Sequence, residues 1–132
     1  MRYVEPWLMT GAAIVAPYGG ADAQFTVPAP QAVAPTGAEL FANQCGTCHS
    51  AKPNDTPRQG PNLFGVFGRK AGSFPGFHYS PGFAQADFVW DEVHLDAWLT
   101  KPQNVIKGAV MAYQQPDATN RKTIIVWLRE QH

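Results

Sequence analysis

Cys45-Gly46-Thr47-Cys48-His49 is the stretch on which the reading of this 132-residue chain turns. It has the form C-x-x-C-H, the pattern of covalent haem attachment. On a helix, positions i, i+3 and i+4 share one face, so the two thiols and the imidazole point the same way. The thiols can bond one edge of a porphyrin while the imidazole reaches the iron. Two other chemistries use such a pair. A redox dithiol belongs in a βαβ context, and no strand–helix alternation is visible here. A zinc site takes four Cys or His ligands at short spacings. Cys45 and Cys48 are the two cysteines of the chain, and His78, His94 and His132 are scattered. A bound haem would supply the chemistry, and the polypeptide would tune it.

The length allows one small domain. Ten Lys and Arg balance ten Asp and Glu, which argues against a nucleic-acid binder. Hydrophobic residues make up 45% of the chain, too many for a disordered polypeptide. Twelve glycines and twelve prolines predict long loops. Such loops argue against a compact domain unless a cofactor orders them.

The N-terminal third differs from the rest. Residues 7–16 form a short apolar run, and Ala21-Asp22-Ala23 fits an A-x-A cleavage pattern. Residues 1–23 are therefore expected to be a secretory signal peptide. The apolar run is too short to span a bilayer unaided; left uncleaved, it would lie on a membrane or a partner. Residues 24–35, with Pro28, Pro30 and Pro35, read as a semi-extended linker. The folded domain is expected over residues 36–132.

Thr36 and Glu39 have capping-box spacing at the start of a first helix that runs into Cys45. Pro53 and Pro57 deny a helix to the next segment. Residues 65–72 are punctuated by glycine. Residues 74–83 carry the aromatics Phe74, Phe77, Tyr79 and Phe83, apolar enough to need a flat, greasy surface to pack on. A second helix is expected over 91–101, with Val93, Ala97 and Trp98 on or near one face, Leu95 and Leu99 adjacent, and Pro102 as its stop. Residues 103–116 read as a loop. A last helix starts near Ala118 with Asp117 as N-cap, its stripe formed by Ile124, Trp127 and Leu128.

A haem iron with His49 below needs a ligand above. Met111 is the candidate, because the other methionines, Met1 and Met9, precede the domain. A lone Met more often fills a gap in a core. Here it follows Gly108-Ala109-Val110 in a loop able to fold over the second face, and His/Met ligation suits electron transfer. His94 is the rival; it lies inside the second helix and is expected to face solvent.

With Gly60-Pro61-Asn62-Leu63 through Gly72, Pro75 to Ser80, Trp90, Trp98 to Pro102, Met111 and Ile124 to Leu128 following Cys45 to His49 in this order, residues 36–132 resemble the class I cytochromes c, of the mitochondrial cytochrome c and bacterial cytochrome c2 type. The resemblance implies an all-α small cytochrome c fold, three main helices and long loops wrapped around one covalent haem c. It implies attachment through Cys45 and Cys48, with His49 and Met111 as axial ligands. The Pro61 carbonyl would accept the other imidazole N–H. Arg69, Tyr79 and Trp90 would contact a buried haem propionate. Gly37 and Phe41 would meet Ile124 and Trp127 where the first and last helices cross.

Departures from the family pattern matter as well. Trp98 stands where a Tyr commonly bonds the Met sulfur, Ala109 where a Thr is common, and Phe83 where an Asn is usual. Gln44, Gln103, Asn104 and Val110 replace the lysine ring of mitochondrial relatives, with Arg58 among the few cations left, so electrostatic steering is expected to be weak. Lys101 and Lys107 are the lysines left near the Met loop.

The function implied is a one-electron carrier rather than an enzyme, working between redox protein partners such as a bc1-type complex, a dehydrogenase or a terminal oxidase. The chain is expected to be monomeric. Haem attachment outside the cytoplasmic membrane in bacterial relatives, together with the signal-like start, points to the periplasm, with a membrane tether if the N-terminus is uncleaved. Two alternatives stay open: a haem module of a larger oxidase or dehydrogenase complex, and a peroxidase-like protein with a labile Met ligand.

Overall fold

In the computed structural model, which describes residues 27–29 and 31–132, the chain enters its first helix at Thr36. The Thr36 hydroxyl accepts from Glu39 N at 3.3 Å, and the Glu39 carboxylate accepts from Thr36 N at 2.8 Å. This reciprocal capping satisfies two helix-end donors. Helix α1 (Gly37–Gln44) buries Leu40 and Phe41. A further turn, with Cys48 N and His49 N both donating to Cys45 O, carries the chain through the C-x-x-C-H stretch.

Helix α2 (Glu92–Thr100) starts at Asp91, whose carboxylate accepts from His94 N at 2.8 Å. Helix α4 (Ala118–Arg129) starts at Asp117, which accepts from Asn120 N at 2.8 Å. Between them lies the single turn α3 (Pro102–Val105). A 3₁₀ turn spans Pro81–Gln85. Among the described residues the only β pairing is an isolated bridge between Lys70 and Val89. The fold is all-α with three main helices joined by long loops, as the sequence implied.

Gly37 governs the crossing of α1 and α4. A Cβ placed there would lie 2.3 Å from Trp127 Cβ and 2.9 Å from Thr123 O. Without it the helices close, and the Phe41 and Trp127 rings pack at a 34° tilt with centroids 4.6 Å apart. Ile124, Ile125 and Leu128 are buried beneath, each burial stabilising the fold by roughly 1.5–3 kcal/mol.

Several expectations need correcting. The buried face of α2 is Leu95, Trp98 and Leu99, an i, i+3, i+4 set; Val93 is 75% exposed and Ala97 is exposed. Residues 103–105 are helical, because Pro102 ends α2 and then opens α3, where its missing N–H costs nothing. His94 faces solvent only in part: it is half-buried and stacks on Phe88 at 4.3 Å, off the cavity lining. The aromatic loop includes a 3₁₀ turn.

Residues Val33–His132 form one compact unit. Residues 27–29 and 31–35 are exposed and carry no regular structure. The expected signal peptide, 1–23, lies outside the described residues. No helix among the described residues is long and apolar enough to cross a membrane.

Candidate functional site

A cavity of about 480 Å³ opens between the His49 turn and the Met111 loop. Cavities of roughly this size hold small ligands and cofactors. Cys45, Cys48, His49, Pro61, Arg69, Tyr79, Trp90, Trp98 and Met111 all line it.

The His49 wall is built from one turn and one loop. His49 Nδ1 lies 2.8 Å from the Pro61 carbonyl oxygen. A carbonyl can only accept, so the ring proton sits on Nδ1 and the Nε2 lone pair is free. Burial pushes the His49 pKa down and so favours the neutral imidazole a metal requires, with the Pro61 hydrogen bond a smaller, opposing effect. Gly60 N donates to Cys48 O at 2.9 Å and Leu63 N to Ser50 O at 2.7 Å, fastening the loop to the turn. A Cβ on Gly60 would fall 2.1 Å from His49 Cε1, so only glycine fits against the ring.

The two thiols complete this wall. Burial, with Cys48 adding a smaller effect, raises the Cys45 pKa to about 11. Among the described residues there is no βαβ unit, the context a redox dithiol belongs in, so the dithiol alternative finds no support. Cys48 Sγ donates to Gln59 Oε1 at 3.2 Å. Among the described residues no group of three His, Cys, Asp or Glu gathers to hold a metal ion, which leaves the zinc alternative without further ligands.

Arg69 extends from the glycine-punctuated loop. It donates to Asn62 O at 2.9 Å and Phe64 O at 3.1 Å, and its guanidinium lies 4.9 Å above the Phe74 ring. Burial lowers its pKa, offset by Tyr79. The Tyr79 hydroxyl accepts from Phe74 N at 3.2 Å, which leaves its own proton to donate. Ser80 Oγ is buried on the same cavity with no protein hydrogen-bond partner. Orphaned buried hydroxyls are rare. A cavity offering the N–H and O–H donors of Arg69, Tyr79, Ser80 and Trp90 suits a group that carries a carboxylate, as haem does. Ser80 was missed because nothing in the spacing separates it from the other loop serines.

The aromatic loop packs as its composition required. Phe77, Tyr79 and Phe83 line the cavity, and ring contacts run from Phe77 through Tyr79 and Phe83 to Trp98 and Trp90. This is a greasy, close-contacting wall for a flat ligand.

The Met111 wall is more open. Val110, beside Met111, is 84% exposed. Gln115 is buried and donates to Gln44 Oε1 at 2.8 Å and to the Tyr113 hydroxyl at 3.1 Å, and Tyr113 in turn donates to Gln44. The end of α1 is thereby tied to the segment after Met111.

No protein-family profile matches the chain. Individual relatives do. It is 35% identical over 109 residues to cytochrome c of Theileria annulata, covering 78% of this chain and 94% of that protein. It is 36% identical over 99 residues to cytochrome c2 of Rhodomicrobium vannielii, covering 74% and 79%. Cytochrome c of Arabidopsis thaliana is 35% identical over 104 residues, covering 76% and 91%. The chain belongs to the class I cytochrome c and cytochrome c2 family. It is thus an electron carrier with a c-type haem, and not an enzyme. Its partners are redox proteins.

Proposed function

We propose that the haem, one per chain, is bonded through Cys45 and Cys48 and held between His49 and Met111, and that the protein shuttles single electrons between periplasmic or membrane-bound redox partners. The observation that carries this reading is the 2.8 Å contact of His49 Nδ1 with the Pro61 carbonyl, opposite a wall that includes Met111. It leaves Nε2 for iron and makes the imidazole a stronger ligand. When bound, the haem supplies a one-electron couple whose potential a His/Met pair raises. Arg69, Tyr79, Ser80 and Trp90 provide donors to a carboxylate whose unpaired burial would be costly. Trp98, a donor only through its indole N–H, contributes chiefly apolar surface.

Gln44, Gln59, Val110 and Ala112 reach the cavity without a charge. Docking is therefore through apolar and neutral polar contact, with little electrostatic steering. The periplasmic setting rests on the signal-like segment 1–23 and on the relationship to cytochrome c2.

The test is the optical spectrum of the purified protein, oxidised and reduced, with and without cyanide. A Met–iron charge-transfer band, sharp reduced c-type bands and slow cyanide uptake are expected. A high-spin oxidised spectrum with rapid cyanide uptake would refute the Met111 ligand.

A further inference from the structure

Met111 stands on a loop with few anchors. Ile106 N donates to Pro102 O at 3.0 Å and Ala109 N to Ile106 O at 3.2 Å; the next backbone bond is Gln115 N to Leu99 O at 2.8 Å. Over residues 110–114, among the described residues, no backbone amide donates to a backbone carbonyl. Gln103 bridges this gap. Its Nε2 donates to Ala109 O at 3.2 Å and to Met111 O at 2.7 Å. A primary amide has two hydrogens, one for each carbonyl. Buried Pro102 opens α3 and seats Gln103 in its first turn, behind the loop and off the cavity lining.

We infer that Gln103 is a positioning residue that latches the Met111 loop and sets how readily the sixth iron position opens. The inference rests on Met111 being the ligand. Gln103 touches neither the cavity nor Met111 Sδ; it acts through the backbone that carries the sulfur. Each ordinary hydrogen bond shifts an equilibrium several-fold, so losing both eases opening by about tenfold.

The experiment uses the haem-loaded full chain with Gln103→Glu and Gln103→Ala. Glutamate keeps the length and shape of the side chain, but its carboxylate has no donor. Both variants are expected to bind cyanide about tenfold faster than the parent in the oxidised state. Their Met–iron band should weaken, and the Ala109 and Gln115 amides, the bonded ones that flank the loop, should exchange hydrogen faster. Thr36→Ala, which weakens the distant α1 cap, should leave the cyanide rate unmoved. A parent-like band and cyanide rate in Gln103→Glu would overturn the inference, even if Gln103→Ala changed, because packing rather than donation would then be at work. A parent protein that lacks the Met–iron band and takes up cyanide rapidly would overturn the Met111 ligand, and the latch with it.

Discussion

On one side of the cavity His49 is held from several directions: Pro61 accepts its Nδ1–H, Gly60 lies against its ring, and two backbone bonds tie the 60–63 loop to the turn that carries it. On the other side the backbone around Met111 depends on one side-chain amide from Gln103. The first wall is local in sequence, with its contacts spanning about a dozen residues. The second relies on a neighbouring turn and on the Gln44–Tyr113–Gln115 network, whose members are about seventy residues apart. Local, multiply bonded structure resists opening, and sparsely tethered loops open at low cost. The contrast assigns rigidity to the imidazole side and any conformational gating to the thioether side.

The sharpest way to break this contrast is Gly60→Ala. A methyl 2.1 Å from His49 Cε1 has nowhere to go while Pro61 holds the ring. Overpacking of this kind costs roughly 1–3 kcal/mol or more, and the value here should fall at the upper end. Denaturant midpoints measure it; an unchanged midpoint would show that the His49 wall yields. Met111→Leu tests the opposite wall. Similar volume predicts a loss below about 1.5 kcal/mol, yet cyanide uptake should become fast. A large loss of stability with slow uptake would reverse the assignment of the two walls.

Thr36→Ala probes the start of the helix that delivers Cys45. Losing the N-cap should cost about 1 kcal/mol at neutral pH. The same cap sets an acid dependence. Hydrogen bonds from Thr36 N and then Thr36 Oγ1 hold the Glu39 carboxyl below its usual range. Its stabilising effect is therefore present above the unfolded pKa and is lost as pH falls through the lower folded value. Glu39→Gln should flatten that acid limb in denaturant titrations. Val110→Lys is the mildest change, within about 0.5 kcal/mol of the parent in stability because the site is exposed. It should nonetheless introduce a salt dependence into electron transfer with an acidic partner, where the parent rate stays nearly flat.

What was legible in the chain was short-range. The capping box at Thr36, the Asp117 cap and the demand for a small residue at Gly37 all appeared as expected, because each depends on a few neighbours or on a close helix approach. The face of α2 was misjudged because Val93 and Ala97 are apolar but sit on the side no other element covers. Pro102 was read as a stop and turned out to be also a start, since proline suits the first position of a helix. Ser80 carried no signal and Gln103 was noted only as an uncharged position on the docking face: a polar side chain on a short turn becomes distinctive only when a cavity or a second loop surrounds it.

By itself the sequence determined the helix starts and the family to which the chain belongs, and pointed to haem attachment at Cys45, Cys48 and His49, because these follow from residue type and spacing along the backbone. The tertiary structure alone decided that nine side chains drawn from positions 45 to 111 share one cavity, that Ser80 Oγ is buried on it without a partner, and that Gln103 holds the Met111 loop. Those facts depend on how distant loops fold back on one another, and no periodicity along the chain encodes that distance.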